Sequence, residues 1–330
     1  MSYVPKVLVA GASGYAGALA AVLVQRHPEL ELSAVTSRSY VGTRLDALYP
    51  YHRVPLTFEE LDLDRHADVD AAIVAYPHGA AAPTVAGLRE RGVKVVDLSA
   101  DFRLRSQETY EHWYVPHTAP ELLPGAVYGL PEVHRAALAG AGLVANPGCF
   151  PTAAVLALAP LAPYLRDVVI DAKTGVSGAG RAATDDTHFV AVDENVSAYK
   201  VGRHRHTPEI EQELVRAGAD AELKIVFTPH LLPIDQGELV SCYVQLDHDD
   251  PRALLAAAYA GEPFVELVDD PPGVRDVRDT NFCRIWADVD KRTGKVYVFA
   301  AIDNLWKGTA SQALQNLNLM LGLPETEGLL

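Results

Sequence analysis

The stretch KVLVAGASGYAGALAAVLVQRHPELELSAVTSR, Lys6 to Arg38, decides the fold. It opens with an apolar strand-like run, turns through glycine, continues as an Ala/Leu-rich helix and ends in a second strand-like run, Leu30 to Thr36. That is a βαβ unit. Its glycines, Gly11, Gly14 and Gly17, form a G-x-x-G-x-x-G variant of the dinucleotide fingerprint. Such a turn needs a residue tolerant of tight geometry, a bare backbone where pyrophosphate approaches, and close helix-on-strand packing. The helix N-terminus then faces the phosphates. Gly11, Ala12, Ser13, Gly14, Tyr15, Ala16 and Gly17 are therefore read as cofactor-binding. At the end of the second strand an NAD site places an acidic residue on the ribose 2′-hydroxyl, whereas this chain reads Thr36-Ser37-Arg38-Ser39. Hydroxyls and a permanently charged, forked guanidinium suit a 2′-phosphate, so Ser37 and Arg38 predict NADPH/NADP.

Working outward, strand-like runs at Ala71–Ala75 and Val93–Leu98 flank the helical segment GAAAPTVAGLRERG, continuing the alternation of a doubly wound, Rossmann-type α/β domain. The loop SADFRLRSQETYEHWY follows the second of these strands, on the side where such sheets bind ligands. Its Arg103 is a candidate anion clamp. Beyond residue 149 the texture changes. DVVIDAKTGVSGAGR enters a second glycine-rich loop closed by Arg181, and LKIVFTPHLLPIDQGELVSCYVQL reads as two long strands joined through Pro229-His230 and Asp235-Gln236-Gly237. CRIWADVD and GKVYVFAAID, separated by KRTG, read as a hairpin. These elements predict an α+β domain on an antiparallel or mixed sheet. With 330 residues the chain exceeds one typical core. The expected division is 1–149 for the nucleotide domain, 150–304 for the substrate domain, and 305–330 as a C-terminal helix returning to the first.

The joint between the domains carries the chemistry. In LVANPGCFPTAAVLALAP, Leu143 to Pro160, a short strand, an Asn-Pro-Gly turn and a helix pattern place Cys149 at a helix N-terminus. Unpaired amides and the positive dipole end there favour a thiolate. Cys242 and Cys283 sit in apolar strand-like runs and read as inert core. A nucleophile needs a proton handler, and AYKVGRHRHTPEIEQEL supplies His204 and His206 ahead of a helix whose cap reads as Thr207. On an extended segment the two side chains point to opposite sides, which predicts different tasks. A thiolate combined with a nicotinamide cofactor indicates thioester and hydride chemistry on an acyl or aldehyde carbon, and the arginines indicate an anionic substrate.

The formal charge of −15 disfavours nucleic acid and anionic membrane as partners. Three cysteines without a CxxC pair predict a reducing compartment and no structural zinc. No apolar run reaches 18 residues and the start shows no signal-peptide pattern, so a cytoplasmic protein without metal is expected.

As a set, GASGYAG, VDLSADFR, VANPGCFPTA, GVSGAGR, HRHTPEI, FTPHLLP and AIDNLWKGTASQALQNLNLMLG resemble the N-acetyl-gamma-glutamyl-phosphate reductase family of arginine biosynthesis, from residue 5 to about 328. The resemblance implies a Rossmann domain completed by the C-terminal helix, and a substrate domain similar to that of glyceraldehyde-3-phosphate and aspartate-semialdehyde dehydrogenases. NADPH, a small acyl-phosphate substrate and a homodimer or homotetramer are implied with it. Carried over by residue, it adds Gly178 and Asn304 to the cofactor site, assigns substrate to Arg103, Asn146, Arg181 and Arg205, and favours His204 as acid/base. A related branch acts on carrier-protein-bound 2-aminoadipyl phosphate, and its cysteine motif lacks the Asn-Pro present here as Asn146-Pro147. One departure stands out: the family usually has Pro-Met and then Arg before the glycine, where this chain has Pro233-Ile234-Asp235-Gln236-Gly237. A cysteine hydrolase would have no use for Gly11–Gly17 or Arg38, and a noncatalytic NADP sensor none for Cys149.

Overall fold

The computed structural model describes residues 3–66 and 68–330. The chain forms two units, Met1–Pro147 with Thr309–Leu330, and Gly148–Gly308. It passes from one to the other at Pro147–Gly148 and returns at Gly308–Thr309, so Gly148 opens the second unit and Cys149 follows it.

In the first unit the elements are β1 (Lys6–Ala10), α1 (Tyr15–Arg26), β2 (Glu31–Thr36), the short α2 (Leu45–Leu48) and α3 (Leu63–His66), and β3 (Ala71–Val74). They continue through α4 (Ala82–Glu90), β4 (Lys94–Asp97), α5 (Gln107–Trp113), β5 (Ala126–Tyr128), α6 (Pro131–Leu138) and β6 (Leu143–Ala145). The strands form a six-stranded parallel sheet in the order β2-β1-β3-β4-β6-β5. Helices cover both faces of such a sheet, which is why β1 and β3 read as continuous apolar runs rather than alternating ones. On one face Leu8, Ala10, Ala72, Val74 and Val95 pack with Val85 and Leu88 of α4 and with Phe102.

The second unit contains α7 (Cys149–Leu158), β7 (Leu165–Thr174), α8 (Phe189–Val192), β8 (Ser197–Ala198), α9 (Thr207–Arg216), β9 (Ile225–Leu231) and β10 (Glu238–Leu246). It closes with α10 (Pro251–Ala258), β11 (Val265–Leu267), β12 (Cys283–Val289) and β13 (Val296–Ile302). Its seven-stranded sheet is mixed, in the order β11-β12-β13-β10-β7-β9-β8. The β12–β13 hairpin is antiparallel with Val289 opposite Val296, as the KRTG turn predicts. The expected joining of β9 to β10 through Pro229-His230 is corrected: both residues lie inside β9, and β7 separates β9 from β10. Adjacent long runs in sequence need not pair, and here the parallel partner β7 takes the central place. Phe150 to Leu158 of α7 are all buried, and the helix packs on β10, β13 and α9.

The final helix, α11 (Ser311–Leu321), belongs to the first unit and packs on α1 and α6. Gly322, at φ +74°, ends it in a left-handed cap that other residues adopt at a cost. Arg135 of α6 pairs with Glu325 beyond this cap at 2.8 Å, fixing the return.

Candidate active site

The nucleotide cradle lies in the first unit. Gly11, at φ +83°, turns the chain out of β1, and its N–H and that of Ala12 donate to the Thr36 carbonyl at 3.1 and 2.9 Å, tying the turn to the end of β2. A Cβ on Gly17 would lie 2.6 Å from the Gly11 carbonyl oxygen, so the third glycine sets how closely α1 meets the turn. Gly14, the N-cap of α1, has nothing within 4 Å of a would-be Cβ. That open space beside amides of the first turn, with no acidic residue in it, fits a pyrophosphate. Ser37 donates to Ser13 at 2.9 Å, linking the two loops, and the exposed Arg38 lies 4.9 Å over the Tyr76 ring.

The thiol site is built in the second unit. Cys149 is the first residue of α7, after the N-cap Gly148, and is partly exposed, whereas Cys242 and Cys283 are buried. Burial pushes the Cys242 thiol up, which keeps it protonated and inert. The Gly148 N–H donates to the Glu209 carboxylate at 2.9 Å, so α9 fixes the turn that presents the cysteine. From the other side, a Cβ on Gly308 would come 2.8 Å from the Cys149 Cβ, and only glycine leaves room.

His204 and His206 do not point apart. Residues 205 and 206 form a turn, and His206, in the right-handed helical region, caps α9 in place of Thr207. The two rings lie 4.8 Å apart, and both pack edge-on against Phe150, next in sequence to Cys149. A turn replaces the extended segment, and the alternation rule no longer applies. His204 is 8% exposed and its Nδ1 accepts the His206 N–H at 3.1 Å, which leaves Nε2 to carry the proton of a neutral ring. Tyr199 and Phe227 pack on the same ring.

Two residues missed by the sequence reading complete the site. Glu238, first in β10, is fully buried, and Tyr199 stands near both it and Cys149. Burial pushes the Glu238 carboxyl up to about 8, with the neighbouring Cys149 and Thr174 opposing and the charge of Asp303 adding. Burial first, then Cys149 and Glu238, push the Tyr199 phenol up as well. Neither residue belongs to a motif, and only the β7–β10 register, with Glu238 opposite Thr174, points to its place.

The remaining expected site residues have protein partners of their own. Asn146 is wholly buried in the first unit, its Nδ2 donating to the Thr309 carbonyl at 3.1 Å and its Oδ1 accepting from Asn316 at 3.0 Å, and it anchors the returning segment. Arg103 is 5% exposed; its Nε and Nη2 donate to the carbonyls of Asn146 and Leu98, each at 2.8 Å, and brace the ends of β6 and β4. Asn304, buried in the second unit, accepts from Gly237 N–H at 2.7 Å and donates to Ser177 at 3.0 Å, so its side chain shapes the glycine-rich loop around Gly178. Arg181 and Arg205 are exposed on the second unit. Gln236 donates to Asp279 at 2.6 Å and to Asp303 at 2.9 Å, a bracing role between loops. Among the described residues no group of three His, Cys, Asp or Glu is placed to hold a metal ion, and no helix is long and apolar enough to cross a membrane.

The fold and the two sites define a semialdehyde dehydrogenase: residues 6–141 match the semialdehyde dehydrogenase NAD binding domain and residues 149–304 the semialdehyde dehydrogenase dimerisation domain. A nicotinamide cofactor follows from the first match. The chain is 52% identical over 340 residues to the N-acetyl-gamma-glutamyl-phosphate reductase of Desulforudis audaxviator and 50% identical to that of Moorella thermoacetica, each alignment covering 98% of this chain and 97% of the relative. It belongs to the N-acetyl-gamma-glutamyl-phosphate reductase family. In fold it is similar to aspartate semialdehyde dehydrogenase II of Vibrio cholerae, with a TM-score of 0.75 at 18% identity, covering 97% of this chain and 99% of the other. An aspartate semialdehyde dehydrogenase with NADP from Candida albicans gives a TM-score of 0.73 at 16% identity over the same shares.

Proposed function

We propose that this chain carries out the NADPH-dependent reductive dephosphorylation of N-acetyl-gamma-glutamyl phosphate to N-acetylglutamate semialdehyde and inorganic phosphate. The observation that carries the reading is Cys149: a partly exposed thiol at the first turn of α7, in a chain about half identical to reductases of that name along nearly its full length. The Cys149 sulfur attacks the acyl carbon, the carbon–oxygen bond to phosphate breaks, and a thioester remains. Amides of the α7 N-terminus favour the thiolate and the oxyanion beside it. Bound NADPH supplies the hydride that takes the thioester to a hemithioacetal. His204 holds the proton of that oxygen and removes it as the hemithioacetal collapses, releasing the semialdehyde and the thiolate. A thiol suits this better than a hydroxyl, because a thioester carbonyl accepts hydride more readily and a thiolate leaves more easily.

Gly11–Gly17 would hold the pyrophosphate and Ser37 and Arg38 the 2′-phosphate that distinguishes NADPH. Arg181 and Arg205, exposed on the unit that carries the thiol, would meet the anionic ends of the substrate. Self-association as a homodimer or homotetramer is supported by the dimerisation-domain match and by Tyr243, Tyr297, Phe299 and Trp286, an aromatic cluster on the sheet face opposite α7. Three free thiols suit a reducing cytoplasm. The test is phosphate-dependent reduction of NADP⁺ with N-acetylglutamate semialdehyde, run beside aspartate semialdehyde. Turnover of the first alone is the expected result, and turnover of the second alone would overturn the substrate assignment.

A further inference from the structure

Ser13, in the middle of the glycine turn, is held from two sides. The Ser37 hydroxyl donates to its Oγ at 2.9 Å, and the Tyr49 phenol donates to its backbone carbonyl at 2.8 Å. Tyr49 is 5% exposed and follows α2, in an excursion between β2 and β3 that backbone bonds fold back on itself. In these the N–H groups of Leu45, Asp46 and Phe58 donate to the carbonyls of Leu56, Val54 and Thr43 at 2.9, 3.0 and 2.8 Å. The rings of Tyr15, Tyr51 and His52 pack around the Tyr49 ring, with centroids 6.3, 6.1 and 5.5 Å away. The excursion therefore delivers one buried phenol to one carbonyl of the turn.

That bond has a consequence on the other side of the peptide. In a trans peptide the carbonyl and the following N–H share a plane and point opposite ways, so a Ser13 carbonyl aimed at Tyr49 leaves the Gly14 N–H aimed away from it. The bond of this N–H to the Gly11 carbonyl is long, 3.5 Å, outside the ordinary range of about 2.7–3.2 Å and easily given up to a stronger acceptor. The space beside Gly14 is open, with nothing within 4 Å of a would-be Cβ. A flip of the Ser13–Gly14 plane would turn a carbonyl oxygen, the wrong sign for an anion, toward that space. Glycine at 14, now at φ −81°, resists such a flip less than any other residue, because it accepts positive φ. The openness of the turn thus carries a liability, and the phenol opposes it.

We propose that Tyr49 is a positioning residue of the nucleotide cradle: by holding the Ser13 carbonyl on the protein side, it keeps the Gly14 N–H turned outward to receive a pyrophosphate oxygen. The proposal rests on reading Gly11–Gly17 as that cradle. Tyr49 itself does not meet the ligand, and the face offered to the pyrophosphate stays backbone. Its action is orientation, not charge. His52, the closest of the packed rings, is itself kept neutral near pH 7, because burial and then the charge of Arg26 push it down to about 4. Since NADPH and NADH carry the same pyrophosphate, both depend on Tyr49 equally, whereas the 2′-phosphate does not depend on it.

The test is titration of the full chain with NADPH and NADH, followed by nicotinamide fluorescence, for wild type, Tyr49→Phe and Gly14→Asp. Tyr49→Phe keeps the ring and removes only the O–H, and should weaken both dinucleotides by the same factor, about threefold to tenfold. Adenosine 2′-monophosphate, which has the 2′-phosphate but no pyrophosphate, should bind to Tyr49→Phe as it does to wild type. Unchanged dinucleotide affinity, a loss confined to NADPH, or an equal loss for adenosine 2′-monophosphate each overturns the proposal. Gly14→Asp places a carboxylate in the open space and should abolish binding of both dinucleotides. Wild-type affinity in Gly14→Asp would overturn the cradle reading, whereas its loss beside an unaltered Tyr49→Phe overturns only the role of Tyr49. Should Tyr49→Phe fail to fold, amide hydrogen exchange of wild type decides: the Gly14 N–H should exchange fast alone and slowly with NADPH bound, and protection without nucleotide would overturn the outward orientation.

Discussion

Seven consecutive residues, Gly11 to Gly17, joined by Ser37 and Arg38, make the cradle of the first unit, whereas the thiol site of the second gathers Cys149, Thr174, Tyr199, His204, Glu209, Glu238 and Gly308 from six separate elements and loops. The first is made of backbone: bare amides and a helix end suit it to an anion, and in the proposed reading side chains enter only at the 2′ position. The second is made of side chains whose behaviour depends on what surrounds them. A buried carboxyl in each unit shows the difference. Asp97, at the end of β4, accepts from Ser99 N–H at 3.0 Å and from the Ser99 hydroxyl at 2.6 Å, and burial lifts it to about 7. Glu238 is equally buried but lacks such donors. The satisfied acid shapes a loop; the unsatisfied one stands beside Tyr199 in the thiol site.

Removing the centre of the second site tests the contrast most severely. Cys149→Ser should lower turnover on the order of 10⁴-fold or more, since the remaining hydroxyl is a far weaker nucleophile, while NADPH titration of the first unit stays at its wild-type midpoint. Loss of NADPH binding in this variant would mean that the two sites are not separable. Next comes His204→Asn, expected to lower turnover by about 10²–10⁴-fold with little change in KM. Because the His204 and His206 rings touch, His206→Asn should not be independent of it. The double variant should lose less than the product of the single losses, and strict multiplicativity in steady-state assays would argue against a joint unit.

The same contrast explains what the sequence made legible. A βαβ unit with glycines at 11, 14 and 17 is a local pattern, and local patterns dictate local structure; the parallel order around β1 then follows from the alternation of strand and helix. Cys149 was legible for the same reason, as a residue between a strand end and a helix start. Glu238 was not, because its neighbours are 64 residues away at Thr174 and farther still at Cys149, and a β-register of that range leaves no periodic trace. The histidines failed differently: alternation was applied to a segment that turns. Asn146 and Asn304 were legible as motif residues, but their hold on loops far along the chain, at Thr309, Asn316, Gly237 and Ser177, was not.

Stability against pH sharpens the comparison of the two acids. For a carboxyl whose folded pKa is raised, unfolding releases a proton between the ordinary value near 4.3 and the folded value, so stability falls as pH rises through that window and levels above it. For Glu238 the window closes near pH 8. Glu238→Gln should therefore be more thermally stable than wild type at neutral pH, with an advantage that shrinks toward pH 4. Asp97→Asn, though its acid is also raised, gives up one of the two oxygens that accept the Ser99 N–H and hydroxyl and should be less stable at neutral pH. Thermal melts of both variants across this range check the signs, and equal shifts would erase the distinction drawn from their donors.

The smallest effects probe the one place where the first site relies on side chains. A charge-assisted hydrogen bond is worth about 1.5–3 kcal/mol, so Arg38→Ala should raise the KM for NADPH about tenfold or more and leave NADH nearly unchanged. The Tyr76 ring lies 4.9 Å below the Arg38 guanidinium and holds that side chain in place. At an exposed position such a contact contributes about 0.5–1 kcal/mol. Tyr76→Leu should thus weaken NADPH binding only about twofold to fivefold, and the loss should vanish when Arg38 is already alanine, because there is no longer a guanidinium to hold. A Tyr76→Leu effect that persists undiminished in the Arg38→Ala background, measured by NADPH titration, would show that Tyr76 meets the cofactor itself, and the cradle would then owe more to side chains than its sequence suggests.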